Sequence, residues 1–238
     1  MAFEDYKGKG KSLKELSERL NIKSNTLYGI LKTMIFCGYV EKDVHALYKT
    51  GRRCRQIGIM NRFQFTPRIS NTLNSVVQRL CRETGEGVSF YVLDNGERIN
   101  YINYQSSEII KVDYTMLQEN SIYDYPSGKI LVAFCDDAER RLIINKHGYP
   151  CEHWNGAANA AALRNEIEKI RDMPYLKQET ECGAVTSYAA AVMVGGMLLG
   201  SLGIYMPGFR ATDEKEKIIT DALLKSVKEI EKILGREM

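Results

Sequence analysis

SLKELSERLNIKSNTLYGILKTMIF, residues 12–36, is the stretch that decides the fold of the N-terminal part of the chain. Its first half places apolar residues on one face of a predicted helix, at Leu13, Leu16 and Leu20. Its second half, after a break at residues 21–23, repeats helical spacing at Leu27, Ile30, Leu31 and Met34. Two short helices joined in this way are typical of a helix-turn-helix, whose second helix can lie in the major groove of DNA.

The residues of the turn support the same interpretation. Asn21 tolerates the left-handed backbone conformation that such turns need. Ser24 is expected to cap the second helix with its hydroxyl. Ser17 is small enough to let the two helices approach closely. An ordinary helical hairpin in a protein core is the alternative that this pattern leaves open.

The residues after the second helix predict a wing. GYVEKD (38–43) and VHALYK (44–49) have the pattern of two short strands around a polar turn. They stand where a winged helix-turn-helix carries its wing.

Charge is unevenly distributed along the chain. Residues 1–62 contain 13 Lys/Arg and 6 Asp/Glu, a net charge of +7, whereas the remaining residues contain 20 and 24, a net charge of −4. Basic charge concentrated on the predicted helix-turn-helix is what a phosphate-binding module needs. The acidic remainder argues against nucleic acid wrapping the whole protein.

The composition, 44% hydrophobic and 26% charged, is that of an ordinary globular protein. No apolar run is long enough to span a membrane, and the N-terminus has no signal-peptide pattern. The six cysteines show no CxxC spacing, so we expect reduced, mostly buried thiols. A cytoplasmic protein without a membrane partner is expected.

The middle of the chain predicts a connector, a helix and a first hairpin. Residues 52–64 are interpreted as a helical linker. Thr66 and Pro67 then open a helix that Gly85 ends. Strands are predicted at 88–93 and 98–104 around the turn Asp94-Asn95-Gly96, and a third at 109–114.

The C-terminal part continues with helices and a second hairpin. Helices are predicted at 126–135, 136–146 and 159–173, strands at 185–194 and 197–206, and a long final helix capped by Thr212. This order predicts an α+β fold with helices packed on a sheet.

By its order of elements and several local strings, the chain resembles the IclR family of bacterial transcription regulators. The strings are SLKELSERLNI, Gly38-Tyr39-Val40-Glu41 and the stretch from Tyr48 to Gly58 in the N-terminal part. Gly128-Lys129, Glu179 with Gly183, and Ser201 to Pro207 carry the resemblance in the C-terminal part. Residues 1–11 are too short for the first helix that a winged domain normally has.

The resemblance implies a winged helix-turn-helix (1–51), a linker helix (52–64) and a GAF-like effector-binding domain (65–238). It further implies a homodimer or homotetramer on double-stranded operator DNA, with a small-molecule effector that alters DNA binding. The alternative is a metabolite-sensing or oligomerising protein that has lost autonomous DNA binding with its first helix.

The resemblance also implies site residues. The exposed side of the second helix and the wing supply the predicted DNA contacts: Lys23, Ser24, Asn25, Thr26, Tyr28, Lys32, Lys49, Arg52 and Arg53. The implied effector positions are Val112, Asn120, Pro126, Ser127, Ala184, Thr186, Gly203 and Tyr205. Gly203 and Tyr205 replace serines that bind a carboxylate in some members. Tyr205 is therefore expected to narrow the pocket and line it with an aromatic ring.

Other chemistry finds little support in the sequence. His147, Cys151 and His153 lie close together, but their spacing matches no structural zinc pattern. Gly128-Lys129 is not a phosphate-binding loop, because Tyr123 occupies the position of the upstream glycine. No catalytic residues, metal or cofactor are predicted, and the protein is not expected to be an enzyme.

Overall fold

A computed structural model describes residues 10–51, 54, 67–113, 121–180 and 182–235. The chain divides into two compact units, Met1–Thr66 and Pro67–Met238. Both units combine helices and strands, so the predicted α+β class is confirmed. The predicted linker at 52–64 lies outside the described residues apart from Cys54.

The first unit contains the two predicted helices, α1 (Leu13–Leu20) and α2 (Ser24–Phe36). A capping box starts α1: Ser12 Oγ accepts from the backbone N–H of Glu15, whose carboxylate accepts from the Ser12 N–H. Asn21 ends the helix in the left-handed conformation with φ 53°, as predicted. This residue sets the turn between the helices.

The predicted capping role of Ser24 was wrong. Lys23 occupies the N-cap position without a side-chain cap, and Ser24 is the first helical residue. The Ser24 hydroxyl instead donates to Ser17 Oγ at 3.1 Å, and Ser17 Oγ donates to the Ile22 carbonyl at 2.6 Å. Two serines therefore fasten the turn across the helix pair, which is why a small polar residue stands at position 17.

The wing is confirmed as an antiparallel pair, β1 (Val40–Lys42) and β2 (Tyr48–Thr50). The Asp43 carboxylate organises its turn by accepting from the N–H groups of His45 and Leu47, both at 3.0 Å. Lys11 also pairs with Tyr48 through two backbone hydrogen bonds of 2.9 and 2.8 Å. The segment before α1 thus extends the wing sheet.

The core of this unit is small and is formed by Leu16, Leu27, Leu31, Val40 and Tyr48. Two residues predicted to share the apolar faces are instead solvent-exposed, Leu20 by 40% and Ile30 by 43%. Helical periodicity identified the helices but overestimated the width of their buried stripe.

The second unit is built on a five-stranded antiparallel sheet with the order β4-β3-β7-β6-β5. Its strands are β3 (Gly87–Asp94), β4 (Glu97–Tyr104), β5 (Leu176–Glu179), β6 (Val185–Val194) and β7 (Met197–Pro207). Its helices are α3 (Pro67–Thr84), α4 (Pro126–Phe134), α5 (Asp137–His147), α6 (Ala160–Arg171) and α7 (Asp213–Leu234). Short 3₁₀ turns cover Glu152–Trp154 and Gly208–Arg210.

The helices lie on both faces of the sheet. Helices α3 and α7 pack against one face, and α4 packs against the other with α6 beside it. Side chains of one core cluster, which includes Tyr91, Ala189 and Tyr205, point from the sheet toward α4, α5 and α6. Because strand side chains alternate between faces, the neighbouring residues point toward α3 and α7.

Most of the predicted elements of this unit are confirmed. The β3–β4 turn has Asn95 and Gly96 at φ 52° and 75°, the conformation that an Asn-Gly pair favours. Asp136, Asn159 and Thr212 each cap the following helix with a side-chain oxygen, which accepts a backbone N–H.

Two strand predictions were wrong. Residues 109–113 form no strand, and the Ile109 side chain is 99% exposed. The edge strand β5 was missed, because LKQE is short and mostly polar. Pairing with β6, rather than any intrinsic strand preference, makes it a strand.

Helix α5 holds the tip of the β3–β4 hairpin at both of its ends. Near its start, Glu139 Oε1 accepts from the Gly96 N–H at 2.7 Å. At its end, Lys146 Nζ lies 2.8 Å from Glu97 Oε1, and His147 Nε2 lies 3.4 Å from Glu97 Oε2 and 3.0 Å from the Gly96 carbonyl. The hydrogen bond to Glu97 raises the pKa of His147 above its ordinary value, although burial opposes this.

Unfolding of the second unit should therefore depend on pH through His147. A folded pKa above the unfolded value of about 6.5 stabilises the fold fully below that value, and this contribution is lost as pH rises through the folded pKa. His147→Gln should thus cost more unfolding free energy at pH 6 than at pH 8.5, measured by urea denaturation. In a Glu97→Gln background this pH dependence should largely disappear, and its persistence would contradict the assignment.

Gly128 in the first turn of α4 leaves no room for a side chain, because an added Cβ would overlap the Ile122 carbonyl oxygen. Gly128→Ala should destabilise the protein by on the order of 1–3 kcal/mol, as overpacking does. Gly29→Ala in α2, where nothing lies within 4 Å of the new Cβ, is the matched control and should be neutral or stabilising. Equal urea midpoints for the two variants would contradict this prediction. They would show that the backbone at Ile122 moves away from the added methyl group without a measurable loss of stability.

Candidate functional site

The first candidate surface is the open side of α2. The six residues predicted there are all solvent-exposed: Lys23, Ser24, Asn25, Thr26, Tyr28 and Lys32. The helix contains no acidic residue, and its N-terminus has no side-chain cap. Its first-turn N–H groups and positive dipole end can therefore interact with a phosphate. This surface combines amide and hydroxyl groups with two cations.

The wing contributes Lys49, which already has a partner. Its Nζ lies 2.8 Å from Asp43 Oδ2. The hydrogen bond from Lys49 is the main cause that lowers the pKa of Asp43, and the hydrogen bonds from the backbone N–H groups of Leu47 and His45 lower it further. Lys49 is thus held at the base of the wing turn, where its contact with a phosphate stays a prediction. The other two predicted cations, Arg52 and Arg53, lie outside the described residues.

The second candidate surface is a cleft in the second unit, between the sheet and the N-terminus of α4. We call it the Arg98 cleft. It is lined by Ser89, Tyr91, Arg98, Tyr125, Pro126, Ser127, Ser187, Tyr188, Gly203, Ile204 and Tyr205. Its cavity volume is about 30 Å³, room for one or two water molecules, within about 320 Å³ of empty space that includes open solvent. A larger ligand must move some of the lining side chains.

The register of the sheet decides which predicted positions reach the cleft. Gly203 and Tyr205 line it together with Ser127 and Pro126. The cross-strand partner of Tyr205 is Ser187, so Ser187 shares its face and also lines the cleft. Thr186, one residue earlier, is buried on the opposite face. The residue of β6 that lines the cleft is therefore Ser187, one position after the predicted Thr186.

The remaining predicted effector positions lie elsewhere. Ala184 is exposed before β6 and does not line the cleft. Val112 is partly buried against the helical core cluster and is not among the lining residues. Asn120 lies outside the described residues.

Arg98 is a charged residue of the cleft that the sequence interpretation did not name. Its guanidinium carbon lies 4.5 Å from the Tyr91 ring centroid and 4.7 Å from that of Tyr125. Arg98 Nη1 also donates to Ser127 Oγ at 2.9 Å. Because Arg98 pairs with Leu93 across β3 and β4, its side chain is on the face that carries the helical core. A charged residue at an inward-facing strand position was the available signal.

The opposite end of the cleft is a cluster of hydroxyl groups. Tyr205 OH donates to Asn103 Oδ1 at 2.9 Å, and Ser89 Oγ donates to the same oxygen at 3.0 Å. Burial is the main cause that raises the pKa of Tyr205, so this phenol stays protonated. The Tyr205 ring occupies the space beside Gly87, where an added Cβ would overlap it. The predicted aromatic narrowing of the pocket therefore has a counterpart in the structure.

The histidines and cysteine considered for zinc have separate partners. His147 contacts the hairpin tip, whereas His153 Nδ1 lies 2.6 Å from Asp124 Oδ1. Within the described residues, no group of three or more His, Cys, Asp or Glu side chains could hold a metal ion. All six cysteines are free, but only Cys81 and Cys135 are buried, so the expectation of mostly buried thiols was wrong. In the same described part, no helix has the length and apolar character to cross a membrane.

Solved structures share this fold. The IclR protein of Thermotoga maritima has a TM-score of 0.58 and 19% identity, with 98% of this chain and 94% of that chain covered. An IclR homolog from Microbacterium hydrocarbonoxydans, complexed with 4-hydroxybenzoate, has a TM-score of 0.61 and 15% identity, with coverage of 99% and 97%. At sequence identities of 15% and 19%, the similarity to these structures is evidence for a shared fold.

Curated relatives are named as transcriptional regulators. The HTH-type regulator KdgR of Escherichia coli is 22% identical over 215 residues, which are 84% of this chain and 77% of that protein. The HTH-type regulator BhcR of Paracoccus denitrificans is 20% identical over 225 residues, with coverage of 93% and 80%. The sequence model described as "Bacterial transcriptional regulator IclR C-terminal" matches residues 67–232, well over half of the chain. The chain therefore belongs to the IclR family of bacterial transcriptional regulators.

Proposed function

We propose that this protein is a sequence-specific DNA-binding regulator whose binding to an operator is changed by a small effector in the Arg98 cleft. The observation that carries the proposal is the exposed, acid-free surface of α2 in a helix-turn-helix with a wing. The relatives named as HTH-type transcriptional regulators support it.

In the DNA complex, α2 lies in the major groove of double-stranded DNA. Asn25 and Thr26 at its N-terminal end read base edges through their amide and hydroxyl groups. The surrounding residues hold the phosphates: Lys23, Ser24, Tyr28, Lys32, and from the wing and its exit Lys49, Arg52 and Arg53. The net charge of +7 in residues 1–62 draws this unit to DNA before any base is read.

Self-association belongs to the same proposal. Two copies related by a twofold axis present two α2 helices to a palindromic operator, and a tetramer presents four. The protein acts in the cytoplasm, where operator DNA and metabolites are both available. The proposal includes no catalytic step, metal or cofactor.

The effector is an anion held by Arg98. Two tyrosine rings and the Ser127 hydroxyl keep the guanidinium in place at the N-terminus of α4. An arginine beside a helix N-terminus combines bidentate hydrogen bonding with a favourable dipole. The similar solved structure, the IclR homolog from Microbacterium hydrocarbonoxydans, contains bound 4-hydroxybenzoate, which is a carboxylate. This supports an anionic effector. The effector binds one conformation of the protein more tightly than another, so its binding changes the affinity of the protein for DNA.

The DNA interface is tested by two substitutions on α2. Lys32→Ala removes one phosphate contact, so it should weaken binding to all sequences and reduce the slope of log affinity against log salt by about one unit. Asn25→Ala removes a base contact, so it should cost about 1–3 kcal/mol on the operator and relax its sequence preference.

Gel shifts with DNA from upstream of the protein's own gene, at several salt concentrations, measure both effects. Lys228→Ala, an exposed lysine of α7, is the matched control and should leave affinity unchanged. Wild-type protein that forms no specific complex, with or without metabolites, would refute DNA binding. It would instead favour a metabolite-sensing protein without autonomous DNA binding.

The effector site is tested by Arg98→Gln. Loss of a charge-assisted hydrogen bond is expected to weaken binding of a carboxylate by about 1.5–3 kcal/mol, which is roughly a 10- to 150-fold change. Isothermal titration with 4-hydroxybenzoate and with short-chain hydroxy acids measures the change. Arg141→Gln, an exposed arginine of α5, is the control. Equal affinity of carboxylates for the wild type and Arg98→Gln would contradict the anchoring role.

A further inference from the structure

Three apolar side chains lie exposed close together on the second unit. Ile109 is 99% exposed, and Ile110 and Phe209 are exposed by 62% and 68%. Arg210 joins the two segments that carry them: its Nη1 donates to the Ile110 carbonyl at 2.8 Å, and its guanidinium carbon lies 5.7 Å from the Phe209 ring centroid. We call these three side chains the Ile109 patch. The patch belongs neither to the open side of α2 nor to the Arg98 cleft.

The segment with the two isoleucines is held in place although it forms no helix or strand. Before the patch, Ser106 Oγ donates to the Gly85 carbonyl at 2.6 Å. At the patch, Arg210 holds the Ile110 carbonyl and is itself held by Glu86, whose Oε2 lies 2.6 Å from Arg210 Nη2. Glu86 is buried, and a buried carboxylate is costly unless it is paired. The fold therefore fixes the two isoleucines at the surface.

Apolar side chains gathered at a surface mark an interaction site more often than single ones do. Water-exposed isoleucine gains free energy on burial, and this gain is available only to a partner that covers the patch. The sequence predicts a strand at 109–114 from the same residues, but within one copy of the chain residues 109–113 have no strand to pair with. The strand-like sequence is thus left unused by the fold of a single copy.

The charges beside the isoleucines indicate which partner fits. The segment reads EIIK (108–111), and its acidic and basic residues are both exposed. A twofold axis between two copies reverses the direction of the segment, so each contact occurs twice. Glu108 of each copy then faces the partner's Lys111, and the isoleucines of both copies meet between these ion pairs. A partner of uniform charge would instead meet a like charge at one end.

We infer that the Ile109 patch is a self-association surface that pairs with the same patch of a second copy about a twofold axis. The apolar side chains form the centre of the contact, and the pairs of Glu108 with the partner's Lys111 form its rim and set its direction. The patch is small beside a stable interface, so we expect a weak, concentration-dependent step. Two copies held side by side on one operator would favour this step. The inference rests on the self-association in the proposed function.

The first test is the association of the full chain, measured by sedimentation velocity over a concentration series. Ile109→Lys should weaken one association step at least about tenfold, because the twofold axis places each new charge against the partner's apolar residues and does so twice. Ile218→Lys, at a half-exposed isoleucine of α7, is the matched control and should leave this step unchanged. Urea midpoints verify that both variants are folded.

A charge exchange tests the direction of the pairing. Glu108→Lys and Lys111→Glu should each weaken association by about tenfold at low salt, because like charges then face each other across the axis. Mixed in equal amounts, the two variants should associate as tightly as the wild type, because each contact between positions 108 and 111 again joins opposite charges. A contact within one chain cannot produce this recovery, because mixing leaves each chain unchanged.

The outcomes separate this inference from the proposed function. Wild-type protein that stays monomeric, unchanged association of Ile109→Lys, or a mixture that associates no better than its two components would each overturn the inference. If the same protein still forms a specific operator complex in the gel shifts, the proposal of DNA binding stands without it. Patch-dependent association in a protein that binds no operator would support the inference and refute DNA binding.

Discussion

A guanidinium group that leaves water must be held by something that replaces its hydration. In this protein the faces of Tyr91 and Tyr125 and the hydroxyl of Ser127 hold Arg98, and these residues come from the sheet and from the start of α4. The cleft exists because the hairpin, whose tip is bound by α5, delivers this cation to the sheet face that the helices cover. The anionic ligand proposed for the cleft follows from that placement.

The two units of the chain place cationic side chains in different surroundings. The first unit keeps its cations in water on the open side of a short helix, where they cost little and remain available to a polyanion. In the second unit, the Arg98 cleft partly encloses one cation and surrounds it with tyrosine rings and hydroxyl groups. A regulator needs both arrangements, because affinity for DNA comes from many weak contacts and effector selectivity comes from a few strong ones.

The sequence was sufficient for features that depend on local physics. The helices, the Asn-Gly turn and the capping residue Thr212 were predicted correctly, because each depends on a few neighbouring residues. Strand β5 was missed because its strand character comes from pairing with β6. Ile109 was assigned to a strand because it is apolar and β-branched, although in the fold its side chain is exposed.

The candidate site was harder to predict for the same reason. The family pattern named Gly203, Tyr205, Ser127 and Thr186. The pairing register puts Ser187, and not Thr186, on the face that lines the cleft. Arg98 and Asn103 came from a strand that the pattern did not associate with a ligand. Their contacts are with side chains far away in sequence: Arg98 with Tyr125, and Asn103 with Tyr205.

The Tyr205 ring fills the space in which residue 87 would otherwise carry a side chain. The two positions are therefore expected to change together during divergence: a larger residue at 87 demands a smaller one at 205, and a smaller residue at 205 enlarges the pocket. One such paired exchange changes the volume of the Arg98 cleft while the sheet and its register remain intact. Gly87, a strand residue without a side chain, thus sets the space available to the Tyr205 ring beside the Arg98 cleft.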